Sequence, residues 1–171
     1  MARRILFVIC TALMVNPLFA AAGSNNKYVS TNIDRHGKLH ITLASGKDVL
    51  APSSNGQVGF GSPQISPDRR TVGWLVMYPY PRPGNTGYVP DPIPEALLLY
   101  RNGHVLRTFK TDQIFYDWQF WRGGSEVAYS TGPTHGGAAE VLLCDITSGK
   151  VLARWFPGTG NPPDWAKDLQ Y

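Results

Sequence analysis

The fold is decided by the stretch Gln64-Ile65-Ser66-Pro67-Asp68-Arg69-Arg70-Thr71-Val72-Gly73-Trp74. A short apolar strand runs into a four-residue turn at 67–70, and an alternating strand that carries an aromatic residue follows. Pro and Asp are typical of tight turns, because Pro fixes φ and Asp accepts hydrogen bonds from nearby backbone amides. The stretch therefore predicts a β-hairpin.

The same pattern returns at Trp118-Gln119-Phe120-Trp121-Arg122-Gly123-Gly124-Ser125-Glu126-Val127-Ala128-Tyr129. Each copy continues into a second hairpin, over 96–109 in the first and 141–155 in the second. The turns of these hairpins contain Asn-Gly and Ser-Gly, which supply the positive φ that short hairpin turns require. Each unit is therefore predicted to hold four antiparallel strands, at a spacing of roughly 54 residues that suits a propeller blade.

An incomplete copy precedes these two units. Residues 39–43 turn through Ala44-Ser45-Gly46-Lys47, which repeats the Ser148-Gly149-Lys150 turn of the last unit. Near the end of the chain, Pro162-Pro163-Asp164-Trp165 looks like the start of a further unit. The prediction is a single domain over 23–171, divided into a partial blade (27–51), two blades (60–109 and 114–156) and a C-terminal tail (157–171). Helical signal is nearly absent, with at most a turn or two over 165–171.

The segment 65–74 resembles the Ser-Pro-Asp-Gly strand signature of WD40-like propeller repeats of the TolB type. The resemblance covers two units well and a third in part, although Arg69-Arg70 stands where Gly is usual and 122–125 replaces Pro-Asp-Gly. It implies an all-β fold of about two to three four-stranded, propeller-like blades. Closed propellers typically have four to eight blades, so one chain has too few for a ring. Two copies could complete a ring as a homo-oligomer, or the units could pack face to face as a small sandwich.

The first 22 residues read as a cleavable signal peptide. Arg3 and Arg4 precede an apolar run of about 11 residues, roughly half of the ~20 that span a bilayer, and Ala20-Ala21-Ala22 supplies a cleavage site after Ala22. We therefore expect a periplasmic or extracellular protein with no transmembrane segment after cleavage.

Composition excludes several classes of function. Cleavage removes Arg3 and Arg4 and lowers the formal net charge from +4 to +2, and the remaining basic residues do not cluster, so nucleic acid is not expected as a partner. Cys144 is the single cysteine after cleavage, which excludes an intramolecular disulfide and favours a buried, inert thiol. No metal or cofactor motif is found, since Gly37 separates His36 and His40 with a turn.

Loop lengths point to one binding face. In each four-stranded unit the first and third connections are tight, whereas the second connections, 79–94 and 131–138, are long and leave on the same side as the link 110–117. Long loops are often functional. The candidate binding residues on this side are Tyr80, Arg82, Tyr88, Phe115, Tyr116 and His135. The arm at 79–94 could instead wrap an open sheet edge.

These features favour a non-enzymatic, exported module that binds a protein or a cell-envelope component through its long loops. One alternative is a small hydrolase or carbohydrate-binding enzyme that uses His135 with Asp117 or Glu140. Asp112 and Asp145 are further carboxylates expected near that face, although Asp145 also suits a turn cap. A second alternative is a structural subunit of a larger propeller assembly.

Overall fold

The computed structural model describes residues 27–80, 91–134 and 137–171. The expected signal peptide and its cleavage site lie outside the described residues. Three antiparallel sheets of three or four strands make up the described chain, and none of them closes into a ring. The predicted fold class, an all-β chain of propeller-like sheets without a closed ring, is confirmed.

The first sheet has three strands, β1 (Tyr28–Ile33), β2 (Leu39–Leu43) and β3 (Asp48–Leu50), paired in chain order. The second sheet follows, with β4 (Gly59–Ile65), β5 (Thr71–Tyr78), β6 (Ile93–Arg101) and β7 (His104–Lys110). The third contains β8 (Ile114–Trp121), β9 (Glu126–Gly132), β10 (Glu140–Asp145) and β11 (Val151–Trp155). Within each sheet, strands that are adjacent in sequence pair with each other, so each sheet is a simple meander.

Side-chain hydrogen bonds define the turn between β4 and β5. The Ser66 hydroxyl donates to Asp68 Oδ1 at 2.5 Å and accepts from the Thr71 amide at 2.9 Å. Arg69 has φ of 60°, a left-handed conformation that costs a non-glycine residue about 1–2 kcal/mol. The Ser66 and Asp68 contacts stabilise this turn although Arg69 adopts a conformation that favours glycine.

Two apolar layers separate the three sheets. The layer between the first and second sheets contains Tyr28, Ile41, Trp74, Val76 and Leu98, and the rings of Trp74 and Tyr100 lie 6.1 Å apart. The layer between the second and third sheets contains Leu97, Leu99, Phe115, Trp118 and Val127. The sheets therefore stack face to face in chain order.

Close packing of the second and third sheets requires a glycine in β5. A Cβ added at Gly73 would lie 2.5 Å from the Trp118 ring and 2.8 Å from Leu99. Trp118 is 1% exposed, and its indole N–H donates to the Ser62 carbonyl at 3.0 Å. Because Gly73 has no side chain, the indole ring of Trp118 has space to pack against β5.

The tail covers the outer face of the third sheet, where Ala166 and Leu169 are buried against Ala128, Val141 and Leu143. The hydrogen bond that attaches the tail to the third sheet resembles one that joins the second and third sheets. Gln64 Nε2 donates to the Trp118 carbonyl at 2.7 Å, and Gln119 Nε2 donates to the Trp165 carbonyl at 3.0 Å. Asp164-Trp165 therefore lies on the third sheet as Asp117-Trp118 lies on the second. Residues 164–168 form turns, and 165–171 contain no helix.

The outer face of the first sheet is mainly polar among the described residues, with Leu50, which pairs with His40, as an exposed apolar side chain. In β2, Leu39, Ile41 and Leu43 are buried in the core, so the alternation of side chains puts His40 and Thr42 on the other face. His40 lies 2.6 Å from Asp48 through Nδ1 and 3.2 Å from Asp34 through Nε2. The two outer faces of the stack thus differ. The face of the first sheet carries charged side chains, and the face of the third sheet is covered by the tail.

Candidate functional site: the long-loop face

Strand direction gathers the longer connections on one edge of the stack. Because β5, β7 and β9 all end on this edge, it carries the links 51–58 and 111–113 and the described ends of the two longer connections, 79–80, 91–92, 133–134 and 137–139. We call this edge the long-loop face. The opposite edge, the tight-turn face, carries the turns at 44–47, 66–70, 102–103, 122–125 and 146–150.

A β-bulge positions Tyr116 on the long-loop face. Phe115 pairs with Thr131 and Asp117 pairs with Ser130, so Tyr116 is the extra residue in β8. Bulges re-aim side chains and are common next to functional sites. The Tyr116 ring lies over Gly132, where an added Cβ would meet it at 2.5 Å. Its hydroxyl donates to the Pro133 carbonyl at 2.6 Å, which fixes the ring.

Tyr116 lines an open cleft of about 420 Å³ together with Gly137, Gln170 and Tyr171. We call it the Tyr116 cleft. The Gln170 amide donates to Asp117 Oδ2 at 3.1 Å and its carbonyl accepts from the Ser130 hydroxyl. Two strands of the third sheet therefore hold the wall of the cleft that the tail provides.

Tyr171 completes this wall with an exposed aromatic surface. Its ring meets Trp155 edge-on, with centroids 5.2 Å apart, and the residue is 50% exposed. Tyr rings with one packed and one free face are common anchors at interfaces. The cleft thus offers two tyrosine side chains beside polar backbone and amide groups.

A second cleft on the same face, of about 240 Å³, lies between the second and third sheets. It is lined by Ile93, Glu95, Thr111, Asp112, Gln113, Ile114 and Thr134. The Thr111 hydroxyl donates to Asp112 Oδ1 at 3.3 Å and accepts from the Gln113 amide at 3.2 Å. The link 111–113 between the second and third sheets is therefore a structured turn. It places the Asp112 carboxylate in the same cleft as Glu95.

The structure distributes the six predicted binding residues in three ways. Tyr116 lines the Tyr116 cleft, and Tyr80 is half-buried where the long loop leaves β5. Phe115 is 1% exposed and its ring packs 5.1 Å from that of Tyr129, so it belongs to the core and not to the exposed face. Arg82, Tyr88 and His135 lie outside the described residues.

The carboxylates considered for acid and base chemistry have structural partners. Asp117 accepts hydrogen bonds from the Trp118 and Gln170 amides, and Glu140 forms an ion pair with Arg154. Asp145 lies on the tight-turn face, which corrects its expected place beside the long loops. It accepts from the Ser148 amide and hydroxyl, and these bonds lower the pKa of its carboxyl.

Sequence reasoning missed Gln170 and Tyr171, which reach the cleft only because the tail folds back on the third sheet. The repeated Asp-Trp pair at 117–118 and 164–165 is the one sequence signal for that contact. Gly137 and Thr134 were inside a predicted loop but were not singled out. Their role depends on the path of the backbone, which composition does not reveal.

Over the described ranges 27–80, 91–134 and 137–171, no group of three or more His, Cys, Asp or Glu side chains is arranged to hold a metal ion. Within these ranges, no helix has the length and apolar character to cross a bilayer. Cys144 is fully buried, and burial raises the pKa of its thiol.

No known protein family matches the sequence, and no curated protein is significantly similar to it. The candidate site therefore rests on the geometry of the long-loop face.

Proposed function

We propose that this protein is an exported, non-enzymatic binding module, built from propeller-like repeats of the WD40 or TolB type, that recognises a protein or cell-envelope component through its long-loop face. The observation that carries the proposal is the Tyr116 cleft, in which Tyr116 and Tyr171 stand beside Gln170 and Gly137. Aromatic rings with neighbouring hydrogen-bonding groups suit an extended peptide or a flat polar ligand.

The cleft is prepared for binding without a large rearrangement. The Tyr116 ring is fixed by Gly132 and by its hydrogen bond to Pro133. Gln170 is held by Asp117 and Ser130. A wall that is already ordered loses little conformational entropy on binding, which favours affinity.

A binding role agrees better with the local chemistry than hydrolysis does. A general base must reach a substrate proton directly or through one water, whereas Asp117 and Glu140 are occupied by the tail amide and by Arg154. These two carboxylates therefore stabilise the fold.

The repeat assignment is supported by the matching contacts of Gln64 and Gln119, each of which joins one unit to the next. The expected export of the chain rests on the residues before Gly23. We expect the partner to be found in the periplasm or outside the cell.

A site-specific cross-linking experiment tests the proposal. A photoreactive phenylalanine analogue at Tyr171 should give a discrete adduct in envelope extracts, while the same analogue at Val105, which is 44% exposed on β7, should not. Tyr171→Ala should reduce recovery of that partner by about tenfold in affinity capture, the effect of losing one aromatic anchor of ~1.4 kcal/mol. Val105→Ala should leave it unchanged. Equal adducts at both positions, or capture that ignores Tyr171→Ala, would remove the long-loop face as the binding surface.

A further inference from the structure

A separate cleft of about 190 Å³ opens at the tight-turn face, between the first and second sheets. Tyr28, Tyr100, Leu43 and Val49 provide its apolar walls. Ser45, Lys47 and Gly103, from two hairpin turns, provide its polar part. It lies on the edge opposite the Tyr116 cleft, so the two sites are independent.

The Tyr28 hydroxyl is an unsatisfied donor at this place. Tyr28 is 1% exposed, and its Oη has no hydrogen-bond partner among the described residues. Burial raises the pKa of the Tyr28 hydroxyl, and the neighbouring backbone amides of Gly103 and Asn102 lower it by a smaller amount. The phenol therefore stays protonated near neutral pH, and burying it unpaired costs free energy that an acceptor would recover.

Other donors converge on the same cleft. The β6–β7 ladder ends at the pair Arg101 and His104, which leaves the amides of Asn102 and Gly103 outside it. These two residues have φ of 53° and 83°, as a two-residue hairpin turn requires. Lys47 is exposed and its ammonium forms no ion pair with a described residue.

No acidic side chain lines the cleft within the described chain. A hydroxyl, backbone amides and an ammonium together attract an anion with acceptor oxygens. The walls include the rings of Tyr28 and Tyr100, whose centroids lie 6.2 Å apart, so the ligand must also carry an apolar body. The volume is below the ~300–1,000 Å³ of pockets for drug-sized ligands, which limits that body to about one ring or a short chain.

We propose that the cleft between Tyr28, Lys47 and Gly103 binds a small monocarboxylate with an apolar body, of which benzoate is a representative. The carboxylate accepts from the Tyr28 hydroxyl and the turn amides and pairs with Lys47, and the ring packs between Tyr100, Leu43 and Val49.

Titration of the full chain with benzoate, followed by amide chemical shifts, tests the site. Saturable shifts are expected at Ser45, Lys47, Asn102 and Gly103. Benzamide has the same shape without the charge, and should bind at least tenfold more weakly. Shifts confined to other parts of the chain, or equal binding of both compounds, would overturn the proposal.

Substitutions test the donors separately. Tyr28→Phe removes only the unpaired hydroxyl and Lys47→Gln removes only an exposed charge, so both variants should fold. Each should weaken benzoate binding by about tenfold or more, as expected for a lost hydrogen bond or ion pair to a charged group. Lys150→Gln is the matched control, because Lys150 occupies the same position of the Ser-Gly-Lys turn in the third sheet. An affinity unchanged in the first two variants, or equally reduced in the third, would contradict the assignment.

Discussion

Among single residues, Gly73 controls how closely the second and third sheets approach. We expect Gly73→Ala to lower the free energy of unfolding by about 1–3 kcal/mol, because the new methyl group would overpack against the Trp118 ring. The matched control is Gly59→Ala, where the nearest atom, Met77 Cβ, would lie 3.6 Å away. Urea unfolding of both variants checks the prediction. Equal stability of the two would show that the sheets separate without cost.

His40 links β3 to the turn after β1 through Asp48 and Asp34. The hydrogen bond to Asp48, followed by that to Asp34, raises the pKa of His40 above its ordinary value of 6.5. The His40 imidazole therefore binds its proton more tightly in the folded than in the unfolded state. Its contribution to stability is fully present below pH 6.5 and is lost as the pH rises through the raised pKa.

His40→Gln should therefore destabilise the protein most in mildly acidic solution, at about pH 5.5 to 6, and least at about pH 9. Urea midpoints of the wild type and the variant at the two pH values measure this. The prediction is wrong if the difference between the two proteins is the same at both, or grows toward alkaline pH.

Among elements, the tail packs on the outer face of the third sheet. The Gln119 side chain joins it to β8 through the Trp165 carbonyl. Gln119→Ala should cost about 1 kcal/mol, the value of one hydrogen bond, and should speed amide exchange across 165–170 more than in the rest of the chain. Gln113→Ala is a suitable control, since that side chain makes no hydrogen bond to a described residue. Uniform exchange across all sheets would contradict a local role for Gln119.

The sequence predicted the hairpins well, because their information is local. The turns are predicted by the pairs Asn102-Gly103 and Ser148-Gly149. The buried face is predicted by alternating apolar residues such as Leu39, Ile41 and Leu43. The candidate site was less predictable. Phe115 and Tyr116 were expected to share the exposed face, but successive side chains of a strand point to opposite faces, so Phe115 enters the core while Tyr116 lines the cleft. The contact of Asp117 with the Gln170 amide joins residues 53 positions apart, which no local pattern specifies.

For the whole molecule, the two ends of the stack decide how the chain associates. A second copy that completed a ring would have to cover the polar outer face of the first sheet, where His40, Asp34 and Asp48 lie. Burying these charged groups without new partners is costly. The apolar face of the third sheet is already covered by Ala166 and Leu169.

We therefore expect light scattering to give the mass of one chain at concentrations of tens of micromolar. Leu169→Asp should change this result, because a charge in the tail would release it and expose Val141 and Leu143. A dimer of the unmodified chain would instead indicate that copies pair through surfaces other than these two faces, or that the polar face is covered.

The linear stacking of the three sheets has a consequence for how the gene can change in length. A closed ring fixes the number of its blades, because one more or one fewer leaves a gap. In the described part of the chain, each sheet packs against the next one in sequence, as in solenoid repeats. The side chains of Gln64 and Gln119 make equivalent hydrogen bonds, each to a Trp carbonyl of the segment that follows. Duplication of the segment between these two glutamines would add one sheet to the middle of the stack and leave both ends intact, so evolution or a designer can lengthen this protein by whole units.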